Sequence, residues 1–393
     1  MNRRDYLRLV GLSALALGPF RSIRAGQRPA RKVVVVGAGI LGAGIAYELA
    51  KRGVEVTVLE QAAPASGATG DSFAYLNAST KASAIRPYFD LNWLGILGWH
   101  AWEREPGQAL PLQWSGSVYW RDQPEAVAAL RETLNTVRVR GYRSRQLDAG
   151  EIRRLLPGVS QVDDASLGAL YEEEGAVDPV GAVKALLARA ADNGAKLLTP
   201  VTVLGLIQKQ GRIVGVRTSQ GELQADTVVV AAGLGSQALA ESVNVKLPLA
   251  PSTGILLHTA PQPRLLDRIV FAPGSTIRQN VDGRILSSSG HEGSSLAGTP
   301  PEEIGQHILA NAARYLPQLR NAAIDRVSIG QRVIPQDTLP IVGFAPRLGQ
   351  LYFSVTHSGI TLAPAIARFA TEEILEGVAL EPLASFRPAR FDS

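Results

Sequence analysis

The sequence predicts an α/β chain, α+β in its two-domain organisation: a Rossmann-type domain joined to a discontinuous domain built on a mixed or antiparallel sheet. Three observations carry this. The β-branched run Val33-Val34-Val35-Val36 leads into Gly37-Ala38-Gly39-Ile40-Leu41-Gly42, a helical stretch to Arg52, and a second strand. The 393 residues suit two domains of roughly 100–200 residues better than one. Short strand patterns joined at Gly-containing turns recur over residues 203–224 and again over 275–289.

Composition narrows the class. A hydrophobic fraction of 46% against 19% charged residues supports sizeable cores and excludes a disordered chain. The 39 glycines and 24 prolines show no period, so the chain is not collagen-like. With no cysteine, disulfides, thiolate metal sites, cysteine nucleophiles, lipoprotein anchors and thioether bonds to a prosthetic group are excluded. The histidines (His100, His258, His291, His307 and His357) show no metal-ligand spacing, and no metal is expected. The net charge of +5 does not point to nucleic acid. Residues 1–32 carry a net of +7, leaving the remainder at −2.

The basic tail reads as an address. Asn2-Arg3-Arg4-Asp5-Tyr6-Leu7-Arg8 precedes a 12-residue apolar run from Leu9 to Phe20. Twelve helical residues reach about 18 Å, short of the ~30 Å hydrocarbon core, so a membrane span is not expected beyond an N-terminal tether. The layout is that of a signal peptide, and the paired arginines resemble a twin-arginine export signal, which implies periplasmic residence. The alternative is a chance basic leader on a cytoplasmic protein. Ile23-Arg24-Ala25 lacks the small residue expected three before a cut, so cleavage and tethering stay open. Residues 1–30 are set aside from the fold.

The first strand opens the chemistry. Gly37 permits a tight turn, Gly39 lets a pyrophosphate approach the backbone at a helix N-terminus, and Gly42 allows close packing of helix on strand. Gly53 ends the helix, and Glu55–Leu59 forms the next strand. Glu60, at its end, suits ribose hydroxyls and argues against a 2′-phosphate. A dinucleotide is therefore expected, and the fingerprint serves NAD and FAD alike.

Four further segments follow in order: Ser66-Gly67-Ala68-Thr69-Gly70-Asp71-Ser72; Ala176-Val177-Asp178-Pro179 before a helix 181–193; Thr227-Val228-Val229-Val230-Ala231-Ala232-Gly233; and Gly330-Gln331-Arg332 through Leu339-Pro340-Ile341-Val342-Gly343 to Thr356-His357-Ser358-Gly359-Ile360-Thr361-Leu362. With the glycine turn, these make the chain from about Lys32 to Gly377 resemble the D-amino-acid oxidase-like family of FAD-dependent amine oxidoreductases, which includes glycine oxidase, sarcosine oxidase and the D-amino-acid dehydrogenases. The resemblance implies FAD, held by Gly37, Gly39, Ile40, Leu41, Gly42, Glu60 and Gln61. It adds Ser66, Gly67, Ala68 and Thr69 along the pyrophosphate, Val203 near the adenine, and Ala232 and Gly233. Ser358, Gly359, Ile360, Thr361 and Leu362 would face the flavin pyrimidine from a helix start, where N–H groups and dipole stabilise negative charge.

The resemblance also implies that Arg332 grips a substrate carboxylate, a task its paired donors suit. An ion pair of Arg332 with Asp337 is the structural alternative. Glycine oxidase-like members carry a tyrosine on the strand matching Ser275–Asn280; Thr276-Ile277-Arg278 stands here instead. That departure weakens glycine specificity and makes Arg278 a second candidate for a carboxylate or acidic substrate. His357, in the C-terminal turn, is a third candidate for the chemistry, with a structural role as the alternative. The implied reaction oxidises the C–N bond of a small amine, a D-amino or an N-substituted or cyclic amino acid, by hydride transfer to flavin N5. Oxygen or a quinone takes the electrons. The rivals are a flavoprotein subunit or assembly factor with no amine substrate of its own, and an NAD-linked dehydrogenase. Residues 31–84, 176–243 and 329–385 are assigned to the FAD domain, and 85–175 with 244–328 to the substrate domain. The latter holds Trp93, Trp99, Trp102, Trp114 and Trp120, read mainly as packing.

Overall fold

Four valines buried on both faces form β1 (Lys32–Val36) at the centre of a six-stranded sheet. In the computed structural model, which describes residues 31–288 and 298–392, its neighbours are β2 (Glu55–Leu59) and β13 (Thr227–Val230). The sheet extends to β9 (Lys196–Leu198) on one side and to β20 (Leu348–Val355) and β19 (Ile341–Ala345) on the other. All pairs are parallel except β19 with β20, at the edge. The export motif at Arg3-Arg4 lies outside the described residues.

Helices α1 (Ile40–Lys51), α2 (Arg86–Arg104), α5 (Pro179–Asp192) and α8 (Gly359–Glu376) cover one face, sharing a core that includes Ile45, Leu49, Trp99, Leu186 and Ile366. The antiparallel strands β10 (Val203–Lys209), β11 (Arg212–Thr218) and β12 (Gly221–Gln224) cover the other, packing Leu206, Ile213 and Val216 on Val34, Val228 and Val230. Asp178 caps α5 through the N–H groups of Val180 and Gly181, as expected from Asp-Pro at a helix start. Gly377, at φ 67°, ends α8.

The second sheet runs β18 (Ile324–Pro335), β14 (Leu249–Thr259), β17 (Ile285–Ser288), β16 (Ser275–Gln279), β15 (Ile269–Ala272), β5 (Ser117–Arg121), β7 (Leu167–Tyr171), β6 (Arg145–Leu147). It is antiparallel apart from β15 with β5, which makes it mixed. One face packs Ile277, Ile285 and Leu257 under helices α4 (Ala149–Leu155) and α7 (Pro301–Tyr315). The opposite face looks toward residues 71–77 and a small sheet of β3 (Tyr75–Leu76), β8 (Gly175–Val177) and β4 (Leu112–Gln113), with α3 (Pro124–Val139) packed at one end.

Two elements cross the boundaries drawn from sequence. Helix α2, assigned there to the substrate domain, buries Leu91, Trp99 and Trp102 against α1 and α8. Its fit is close: a Cβ on Gly95 would lie 2.1 Å from the Thr361 carbonyl oxygen. Strand β18 runs unbroken through residue 329 as the edge of the second sheet, because its whole length pairs with β14.

Candidate active site

The glycine turn is built as its spacing predicts. Gly37 sits at φ +101°, where a Cβ would come 2.6 Å from the Ala231 carbonyl oxygen, so β13 and its Ala231-Ala232-Gly233 exit press directly on the turn. A Cβ on Gly42 would lie 2.0 Å from the Gly37 oxygen, which only glycine tolerates. Gly39 is the N-cap of α1 and supplies no side-chain cap; instead the Thr69 hydroxyl accepts from Ile40 N at 3.2 Å. The segment Ser66–Thr69 is docked here by Ala65 N donating to Ala38 O at 3.0 Å, and Ser66, Gly67 and Ala68 are exposed along it. Glu60 closes the other side, its carboxylate accepting from Ala38 N and Ala62 N, both at 2.9 Å, with Gln61 exposed beside it. Val201 N donates to Glu60 O at 2.7 Å, which brings Val203 to the same end of β2.

The C-terminal turn meets this cradle. A Cβ on Gly359 would lie within 3.8 Å of Leu41 and Ile40 side chains. The start of α8 has no side-chain cap, leaving the N–H groups of Gly359, Ile360 and Thr361 directed out of the helix end. Leu362 differs from expectation: its N–H is committed to Ser358 O and its side chain to the core. The turn is braced from behind by groups that sequence reasoning missed. Tyr88 donates to Ser358 Oγ at 2.9 Å, Trp99 Nε1 to Ile360 O at 2.8 Å, and Thr361 Oγ1 to Tyr75 O at 3.0 Å. His357 is exposed at the β20–α8 turn. A strained glycine at one helix start, an uncapped start at another, and a carboxylate at a strand end fit a dinucleotide carrying a flavin.

On the second sheet, alternation puts Gly330 and Arg332 on one face of β18, and a Cβ on Gly330 would touch Asp71 at 2.5 Å. Arg332 is half-buried. Its guanidinium donates to Ser252 O, Ser252 Oγ and Thr253 O at 2.8–3.3 Å, all neutral acceptors, and burial holds its pKa below the usual value. The ion pair with Asp337 is not formed, because Arg390 takes that carboxylate at 2.7 Å. Arg278 faces the same side, over the Phe73 ring at 5.3 Å. The five tryptophans pack: Trp102 Nε1 meets Glu48 and Trp93 Nε1 meets Glu173, Trp114 stacks on His100, and Trp120 lies edge-on to Tyr315.

Two buried titratable groups on this side carried no sequence signal. Glu174, fully buried, accepts from Ser117 Oγ at 2.5 Å, Ser79 N at 3.2 Å, Tyr142 and Tyr75; burial pushes its carboxyl well above the ordinary range. It therefore braces β3, whose Tyr75 carbonyl holds Thr361. His258 Nε2 lies 3.1 Å from Ser328 Oγ, and burial, with Arg326 and Arg278 nearby, pushes the imidazole down to about 4. Neither could be found from spacing, since each depends on strands that meet only in the fold.

Comparison with known proteins agrees with this architecture. The bifunctional protein ThiO/ThiG of Trichormus variabilis is 29% identical over 374 residues, 92% of this chain and 55% of the relative. The chain thus spans about half the length of such bifunctional relatives. Glycine oxidase of Pseudomonas aeruginosa is 28% identical over 355 residues, covering 87% of this chain and 94% of that protein. The crystal structure of glycine oxidase from Geobacillus kaustophilus superposes with a TM-score of 0.82 at 24% identity, over 92% of this chain and 99% of the other, which shows a shared fold. The glycine turn at residue 37 and the helix start at residue 359 both fall inside residues 32–373, the stretch matched by the family model for DAO, FAD dependent oxidoreductase, and the chain belongs to that family of FAD-dependent enzymes.

Proposed function

We propose that this protein oxidises the C–N bond of a small amine bearing a carboxylate, a D-amino acid or an N-substituted or cyclic amino acid, with Arg332 as the carboxylate anchor. The observation that carries the reading is the state of Arg332: a half-buried guanidinium with only neutral acceptors, its sequence neighbour Asp337 already paired elsewhere. A cation so placed favours an incoming carboxylate, which its two-pronged donors match.

When bound, FAD supplies the hydride acceptor. The chain's own residues do the rest. Gly37, Gly39 and Thr69 would cradle the pyrophosphate and Glu60 the ribose. The N–H groups of Gly359–Thr361 would stabilise negative charge on the ring system. Arg332 fixes the substrate so that the carbon bearing the amine presents its hydrogen. Phe73, Tyr75, Phe271 and Tyr119 pack ring against ring and would keep water from the side of the site they line. The substrate gives up a hydride from carbon and a proton from nitrogen; water then hydrolyses the imine to a carbonyl compound and an amine or ammonia. Oxygen or a quinone then takes the two electrons, which readies the enzyme for the next turnover. The twin-arginine pair supports export of the folded holoprotein to the periplasm, cleaved or tethered.

Anaerobic mixing of the holoprotein with D-amino acids, N-methyl amino acids and cyclic imino acids tests the reading. Bleaching of the flavin absorbance by at least one class is expected. A flavin that none of them reduces sinks it and favours a subunit or assembly role.

A further inference from the structure

We propose that Arg278 forms a second anion subsite, distinct from Arg332, that takes a carboxylate or an anion of similar size. The proposal rests on the amine-oxidation reading only where that carboxylate is carried by the substrate.

Arg278 is 2% exposed on β16. Its Nη1 donates to Asn280 Oδ1 at 2.5 Å, while Nε and Nη2 have no hydrogen-bond partner. Asp178 and Asp282 act on it only through space, and among the described residues it forms no ion pair. A buried charge with two idle donors is costly unless something pairs it. Burial accordingly pushes its pKa down to about 10. Arg278 is among the residues lining a small cavity with Gln113, Ser115, Gln279, Arg268 and Asp267; there Asp267 is paired with Arg264, and Arg268 donates to the Ser115 carbonyl. Phe73 flanks it on the other side.

Register separates it from Arg332. Arg278 pairs Leu286, and the β14 residue opposite Leu286 is His258, whereas Arg332 pairs Ser252. Three strand positions and six residues of register separate the two arginines on one face of the twisted sheet, too far for one carboxylate to meet both guanidinium groups. Two anionic groups on an elongated substrate, or a substrate and a free anion, can occupy both.

The test uses the FAD-loaded enzyme and two probes. DL-2-aminoadipate and DL-norleucine have the same chain length and differ by the distal carboxylate; formate tests a free anion. If the subsite serves the substrate, wild type prefers aminoadipate, and Arg278→Met narrows that preference by about 10-fold or more, Arg278→Lys by less. If it serves a free anion, formate raises the melting temperature of wild type and not of Arg278→Met. In anion-free buffer Arg278→Met should melt no lower than wild type, since it removes an uncompensated buried charge. Equal effects on both amines together with no formate response would overturn the subsite. Loss of FAD from Arg278→Met would overturn it too, by assigning the guanidinium to the cofactor. Failure of every amine to reduce the flavin would defeat the oxidation reading alone, and the formate arm would still decide Arg278.

Discussion

Gly42→Ala is the sharpest test of the cofactor cradle. The added Cβ would sit 2.0 Å from the Gly37 carbonyl oxygen, roughly 1.3 Å inside ordinary van der Waals approach. The turn cannot easily retreat. Gly37 N is bonded to Leu59 O at 2.8 Å, and its Cα faces the Ala231 carbonyl. The strain must therefore move the start of α1 away from β1, displacing the donors at Gly39–Leu41 by about an ångström. Overpacking of this kind costs about 1–3 kcal/mol, or roughly 2–10 °C in melting temperature for a domain of this size. Loss of even one charge-assisted bond to the pyrophosphate costs about 1.5–3 kcal/mol, so FAD should be held at least 10-fold more weakly. The assay is flavin absorbance per chain after gel filtration, with melting followed in parallel. Gly205→Ala serves as control, because a Cβ there meets nothing within 4 Å. If Gly42→Ala retained full flavin and wild-type melting, the argument from close approach would be wrong.

Other consequences are equally direct. Arg332→Ala should keep flavin content while lowering kcat/KM on carboxylate-bearing amines by about 10–150-fold, and amines without a carboxylate should be affected far less; an equal loss on both would make Arg332 structural. His258, pushed down to about 4 in the fold from an unfolded value of 6.5, contributes stability that is present above pH 6.5 and lost as pH falls toward 4. Urea unfolding at pH 7 and 4.5 should show wild type losing about 2 kcal/mol more than His258→Gln across that window, and parallel losses would contradict it. Changing Arg3 and Arg4 to Lys should leave flavin-loaded protein in the cytoplasm, and unchanged periplasmic delivery would rule out a twin-arginine signal.

The sequence alone determined the parts of this protein that local chemistry dictates. A run of β-branched residues, glycines at fixed spacing and an acid at a strand end specify one strand–turn–helix–strand unit, because backbone conformation and close approach leave few other residues able to serve. The same holds for the Asp178-Pro179 helix start, the hairpins at Gln210-Gly211 and Gln220-Gly221, and the Gly377 helix stop, all of which the fold contains. What only the tertiary structure decided are relations between distant segments. That α2 backs the 358–361 turn depends on Gly95 meeting Thr361, more than 260 positions away. That Asp337 belongs to Arg390, leaving Arg332 with neutral acceptors, depends on the C-terminal 3₁₀ turn folding back over β19. The carboxyl of Glu174 and the idle donors of Arg278 acquire meaning only through burial, since a side chain's ionisation is set by the atoms that replace its water, and no spacing along the chain records which atoms those are.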